Sequence, residues 1–152
     1  MAVFHTHSRE ETVQLGERLG RALQRGDMVT FRGGLGAGKT AFTSGLVLGL
    51  GLDRAEVSSP TFALVNEYRG TDISVFHFDM YRIVSEEGLE STGFFDYDFD
   101  NNVAVIEWSE NIAEFLPKNA VSVTINVTGE NEREIIIEGG GRDASAWDRY
   151  LG

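Results

Sequence analysis

The stretch that decides the fold is DMVTFRGGLGAGKT, Asp27 to Thr40, with AFTSGLVLGL, Ala41 to Leu50, directly after it. The first six residues read as a short buried strand, because apolar and β-branched side chains fill it. It runs without a spacer into a loop carrying Gly33, Gly34, Gly36 and Gly38, and then into a largely apolar segment that reads as a helix ended by Gly51. Gly33, Gly38, Lys39 and Thr40 keep the G-x-x-x-x-G-K-T spacing of a phosphate-binding loop, and a strand before it and a helix after it are the context that spacing requires.

Each residue type has a physical task there. Glycines at Gly33, Gly34, Gly36 and Gly38 let the backbone turn so that successive N–H groups point at phosphate oxygens, and the helix that follows adds its positive end. The Lys39 ammonium can reach β and γ phosphates, while the Thr40 hydroxyl can be one ligand of magnesium. ATP with Mg2+ is therefore the expected cofactor pair.

Working outward, Ser8 to Arg25 reads as a helix: Ser8 and Glu11 resemble a capping box, Val13, Leu15, Leu19 and Leu23 form an apolar face, and Gly26 can end it. Ala63 to Tyr68 and Ile73 to Asp79 flank a turn-like Arg69-Gly70-Thr71-Asp72, which predicts a hairpin. Ser85 opens a short helix. Val103 to Ile106 is a central strand ending on Glu107, and Val121 to Val127 with Glu134 to Glu138 form a second hairpin. After Gly139 to Gly141 a polar tail is expected. Strands alternating with helices predict one α/β domain over residues 1–152, with a mixed, largely parallel sheet flanked by helices.

Hydrolysis on such a loop needs an acid at a strand end and a group that orients water. Glu107 closes VAVIE and Asp79 closes VFHFD, so either suits the task. Ser58-Ser59-Pro60-Thr61 lies where switch segments carry a hydroxyl. His5 and His7 read as surface residues, and His77, between Phe76 and Phe78, as one more residue of a sheet face. Asp96, Asp98 and Asp100 alternate with Tyr97 and Phe99 but lack the glycine and glutamate of a calcium loop, which leaves a solvated or partner-facing acidic segment.

Composition narrows the partners. A formal charge of -11 opposes a nucleic-acid surface, since backbone phosphates would be repelled and the arginines do not cluster. No apolar run approaches a membrane span, the first eleven residues lack a secretory pattern, and no cysteine is present. A cytoplasmic protein without a thiolate metal site or membrane contact is the expectation.

The motifs GGLGAGKT, SSPTFALVNEY, HFDMYRI, GLESTGFFDY and VIEWSE follow one another in an order that closely resembles the TsaE (YjeE) family of small bacterial ATPases, over about Thr6 to Glu138. The resemblance implies an ATPase that works with TsaB-family and TsaD-family proteins to form the threonylcarbamoyl modification on the adenosine beside the tRNA anticodon, and the charge of -11 adds the expectation that tRNA is reached only through that complex. It further implies that Leu35, Gly36, Ala37, Gly38, Lys39 and Thr40 cradle phosphate, that Thr40 and Glu107 hold magnesium, that Thr61 is a switch-like threonine, and that Asp79 is a candidate catalytic carboxylate, with Lys39 and Thr61 the other catalytic candidates. Trp108 matches the tryptophan after the acid. Thr6 and Arg133 match the region around the nucleotide base, while Gly34 stands where many relatives carry an acidic residue. Two other readings compete: a small kinase, which needs an arginine-bearing lid where Arg82 is the sole cation between Asp79 and Asn102, and a GTPase-like switch, whose N-K-x-D sequence is absent.

Overall fold

The computed structural model describes residues 1–33, 37–52, 65–70, 72–140 and 144–151. Seven strands form one sheet in the order β1-β7-β6-β2-β5-β4-β3, from β1 (Ala2–Thr6), β2 (Met28–Arg32), β3 (Val65–Arg69), β4 (Ser74–Asp79), β5 (Val103–Glu107), β6 (Val121–Val127) and β7 (Arg133–Gly139). The α/β class is as expected, and the sheet is parallel through its four central strands β6, β2, β5 and β4. Antiparallel hairpins flank that centre, β3 with β4 on one side and β6 with β7 on the other, with β1 added to β7.

Alternation along the strands feeds two cores. Val29 and Phe31 of β2 and Val103 and Val105 of β5 face α1 (Arg9–Ala22) and α2 (Lys39–Gly49). Met28, Ala104 and Ile106 face the other way, onto Leu89 of α3 (Glu86–Ser91), Phe94 and Ile112. Helix α1 is capped by the Ser8 hydroxyl, which accepts from Glu11 N. The Glu11 carboxylate reaches back to the backbone N–H of His7 at 2.7 Å, and that bond holds its pKa below the ordinary value. The helix stops at Ala22, earlier than expected, because Leu23 turns extended and buries itself; Gly26, at φ +90, serves the next turn instead.

Helices α1 and α2 meet through a seam of glycines. A Cβ on Gly16 would lie 2.2 Å from Phe42 O and one on Gly20 2.2 Å from Leu46 O. On the facing helix, a Cβ on Gly45 would lie 1.9 Å from Val13 O and one on Gly49 2.1 Å from Glu17 O. The backbones approach as closely as they do because nothing but hydrogen stands between them.

Two expectations need correction. The segment after Gly139 is no polar tail: residues Ala144–Leu151 form α4, which buries Trp147 and Leu151 against the α1 side of the sheet. The Trp147 Nε1–H donates to Gly139 O, and Arg18 donates to Leu151 O. Likewise the aromatics of the acidic segment are mostly core. Phe94 is buried, and Tyr97 and Phe99 pack with it on Phe76 and Phe78, with ring centroids 4.9 to 5.2 Å apart for the Phe76–Tyr97, Phe78–Phe94 and Phe94–Phe99 pairs. Burial raises the Tyr97 phenol above its ordinary pKa, and Phe95 alone of the four is exposed. Among the described residues no helix is long and apolar enough to cross a membrane.

Candidate functional site

Strands β2, β4 and β5 run parallel, so Gly33, Asp79 and Glu107 all arrive at one edge of the sheet, the carboxyl edge where open α/β sheets bind ligands. Gly33 takes φ +141, with Ile125 O so near that a Cβ would come within 2.5 Å of it. Gly38 takes φ +105 and is the residue from which α2 starts, its carbonyl accepting from Phe42 N. A side chain at either position would be strained, so glycine is what lets the chain turn from strand into helix.

Lys39 is the first residue of α2 and is buried. Its ammonium donates to Gly33 O at 3.1 Å, lies 3.8 Å from Glu107 Oε1, and sits 4.8 Å from the centre of the Trp108 ring. Glu107 is itself buried, with Oε2 at 2.5 Å from His77 Nε2; His77 Nδ1 in turn meets the Tyr68 hydroxyl at 3.3 Å. Asp79 is directly across from Glu107 in the β4–β5 register, half-buried, and accepts from Tyr81 N. Asn111 donates to the carbonyls of Met80 and Tyr81, and Met80 N donates to Glu107 O, so the two acid-bearing strand ends are tied together.

On the other flank β1 and β7 pair Thr6 with Arg133. Arg133 Nε donates to Ala37 O at 3.0 Å, while its NH1 group donates to Gly129 O and Glu132 O, so the guanidinium ties the β6–β7 hairpin to the glycine loop. Thr6 shares a hydroxyl hydrogen bond of 2.8 Å with Thr12, whose methyl carbon stands near Gly38.

A sequence model of the family described as Threonylcarbamoyl adenosine biosynthesis protein TsaE matches residues 6–135. The chain belongs to the TsaE family. A TsaE from Treponema pallidum, called tRNA threonylcarbamoyladenosine biosynthesis protein TsaE, is 38% identical over 132 residues, 87% of this chain and 96% of that one. The TsaE of Bacillus subtilis carries the same name and is 37% identical over 132 residues, 87% of this chain and 82% of its own. The crystal structure of Bacillus subtilis YdiB superposes with a TM-score of 0.77 at 30% identity, covering 99% of this chain and 93% of that one.

In this TsaE chain the structure gathers Gly33, Ala37, Gly38, Lys39 and Glu107 at one place, with Asp79 beside Glu107 and with Thr6 and Arg133 at the far side of the loop. Thr40 follows Lys39 in the first turn of α2 and is half-buried. Leu35, Gly36 and Thr61, with Gly34 and the Ser58-Ser59-Pro60 stretch, lie outside the described residues. Trp108, whose place in the site sequence left open, touches Lys39 and pairs edge-on with Tyr81. His77 and Tyr68 were missed. The available signal was parity: Val75, His77 and Asp79 share one face of β4, the face onto which Val103, Val105 and Glu107 of β5 project.

Proposed function

We propose that this TsaE-family chain is a magnesium-dependent ATPase of the cytoplasm, acting with TsaB-family and TsaD-family proteins to form the threonylcarbamoyl modification on the adenosine beside the tRNA anticodon. One observation carries the reading: a buried lysine at the start of a glycine-turned helix faces a buried carboxylate across the carboxyl edge of parallel strands. Burying both charges costs several kcal/mol per ion, and a lysine and a carboxylate held together at the ligand-binding edge of a parallel sheet suit a charged ligand.

The donors suit magnesium. Thr40 and Glu107 offer oxygens, the ligands of a hard cation, and among the described residues no cluster of three acidic, histidine or cysteine side chains makes a cage. Magnesium characteristically takes one or two protein oxygens and completes its shell with phosphates and water, and when bound it would neutralise phosphate charge. Lys39 would leave Gly33 O for the β and γ phosphates, the backbone of Gly33, Leu35, Gly36, Ala37 and Gly38 would cradle them, and Asp79 with Thr61 would orient water. The Thr6–Arg133 edge stands beside the loop where the base would lie.

The charge of -11 argues that tRNA is reached through partners. Tyr81, Val84 and Phe95, exposed by 61%, 83% and 49% in a stretch of sequence that also carries Glu86, Glu87, Glu90 and Asp96, are the apolar anchors proposed for those partners. The test is reconstitution with both partners and tRNA, scored for ATP consumption and modified adenosine. Both should depend on this chain, and charge reversal at Asp96 should weaken them. Tight tRNA binding by the isolated protein with a steep salt dependence, or ATP-independent modification, would reject the reading.

A further inference from the structure

We propose that His77, steadied by Tyr68, is a positioning residue for Glu107, holding its carboxylate so that Oε1 faces the phosphate loop; the inference rests on the magnesium-side role given to Glu107 above. The two oxygens of Glu107 face different ways. Oε2 is 2.5 Å from His77 Nε2, and Oε1 lies 3.8 Å from the Lys39 ammonium. An ionised carboxylate can only accept, so the positioning role requires the hydrogen on Nε2, donated to Oε2, while Nδ1 is the atom that meets the Tyr68 hydroxyl at 3.3 Å. His77 has no exposed surface and Tyr68 is buried, so water does not compete for either bond.

Glu107 needs such a partner more than an aspartate would. Phosphate-loop proteins commonly place an aspartate at this strand end. A glutamate adds one rotatable bond, and the entropy of that rotor opposes a fixed carboxylate. His77 comes from β4, hydrogen-bonded along its length to β5, so the donor and the acid are carried on one rigid unit. Carboxylates that hold a metal are themselves hydrogen-bonded, and loss of that outer partner costs about 10- to 100-fold in metal affinity or activity. If His77 were only a buried polar group in need of an acceptor, its removal would lower stability and leave the magnesium requirement alone.

The experiment titrates magnesium into protein and a fluorescent ATP analogue, alongside nucleotide binding without metal and thermal denaturation. His77→Gln keeps an N–H near the Nε2 position, whereas His77→Asn cannot reach Oε2. The expected result is a magnesium midpoint raised about 10- to 100-fold in His77→Asn, largely recovered in His77→Gln, with metal-free nucleotide binding little changed in both. In a Glu107→Gln background, His77→Asn should add nothing further. Nitrogen NMR of the metal-free wild type should find His77 with its hydrogen on Nε2, a readout that survives if the asparagine variant does not fold. Equal magnesium midpoints in wild type and His77→Asn, or a hydrogen found on Nδ1 alone, overturn the positioning role while leaving the proposed ATPase standing. A wild type whose nucleotide binding ignores magnesium overturns both.

Discussion

Replacing Gly45 by alanine tests the helix seam that sets where Lys39 stands. At an open helical site the change would stabilise the protein by about 1 kcal/mol, because alanine loses less backbone entropy than glycine. Here the new Cβ would lie 1.9 Å from Val13 O, 2.8 Å from Val13 C and 2.9 Å from Glu17 N. All three are backbone atoms of α1, so no side chain can rotate away. The helices must part by more than about 1 Å to restore an ordinary carbon–oxygen contact, and that motion loosens Phe42 and Leu46, both fully buried. Ordinary overpacking costs about 1–3 kcal/mol, and a backbone clash belongs at or beyond the top of that range. The net loss is about 2 kcal/mol, or about 4–8 °C in melting temperature for a domain of this size. Gly88→Ala is the matched control. Gly88 lies in α3 with Ser85 Oγ, at 3.3 Å, as the nearest atom to a new Cβ, so a shift of a few tenths of an ångström in one side chain accommodates the change, which should cost far less than Gly45→Ala. Thermal and urea unfolding of the two variants beside wild type would decide. A Gly45→Ala protein as stable as wild type would show that the helices do not pack through glycine.

Four further outcomes are expected. Lys39→Ala should lower ATP hydrolysis by at least about 100-fold, the usual loss when one preorganised charge donor is removed, and an undiminished steady-state rate would reject the phosphate-loop reading. Because Lys39 also faces the buried Glu107, the same variant should unfold at lower temperature than wild type. Glu107→Gln should weaken magnesium-dependent nucleotide binding while Asp79→Asn leaves binding intact and slows turnover, a split visible by comparing equilibrium titration with single-turnover rates; the reverse split would exchange their roles. Trp147→Ala should cost about 3–5 kcal/mol, since the side chain is fully buried and its indole donates to Gly139 O. Unchanged unfolding after deletion of that side chain would mean that α4 does not dock.

What was legible in the chain was local. GGLGAGKT after a β-branched strand has few ways to fold, and Ser8 with Glu11 marks a helix start through bonds made within four residues. Hairpins announced themselves through turn residues and period-two alternation. The failures share a cause, which is that the deciding partner lies far away in sequence. Trp147 and Leu151 are a single i, i+4 apolar pair in a short polar segment, and they become a helix face only because β1, β7 and α1 leave room for them. Tyr97 and Phe99 read as part of a solvated or partner-facing segment because aspartates separate them, yet Phe76 and Phe78 present the surface they cover. The repeats Gly16/Gly20 and Gly45/Gly49 have visible spacing in each helix, but their meaning needs both helices together. His77 read as one residue on a sheet face, and it took the β4–β5 register to put Glu107 within its reach.

The residue after the acid shows how the site is kept in shape. Trp108 has φ 59, the sole positive value among the described non-glycine residues, and a left-handed conformation costs a bulky side chain about 1–2 kcal/mol. Two contacts offset it: the edge-on pair with Tyr81 at 4.9 Å is worth about 0.5–1.5 kcal/mol, and the Lys39 ammonium over the ring about 0.5–2 kcal/mol in a desolvated setting. The sums are comparable, so the two neighbours together offset the cost of the turn. One comes from the loop after β4 and the other from the start of α2. The backbone kink that aims the chain away from Glu107 is therefore held by the same elements that carry Asp79 and Lys39, and the strain lies against the groups whose positions matter most.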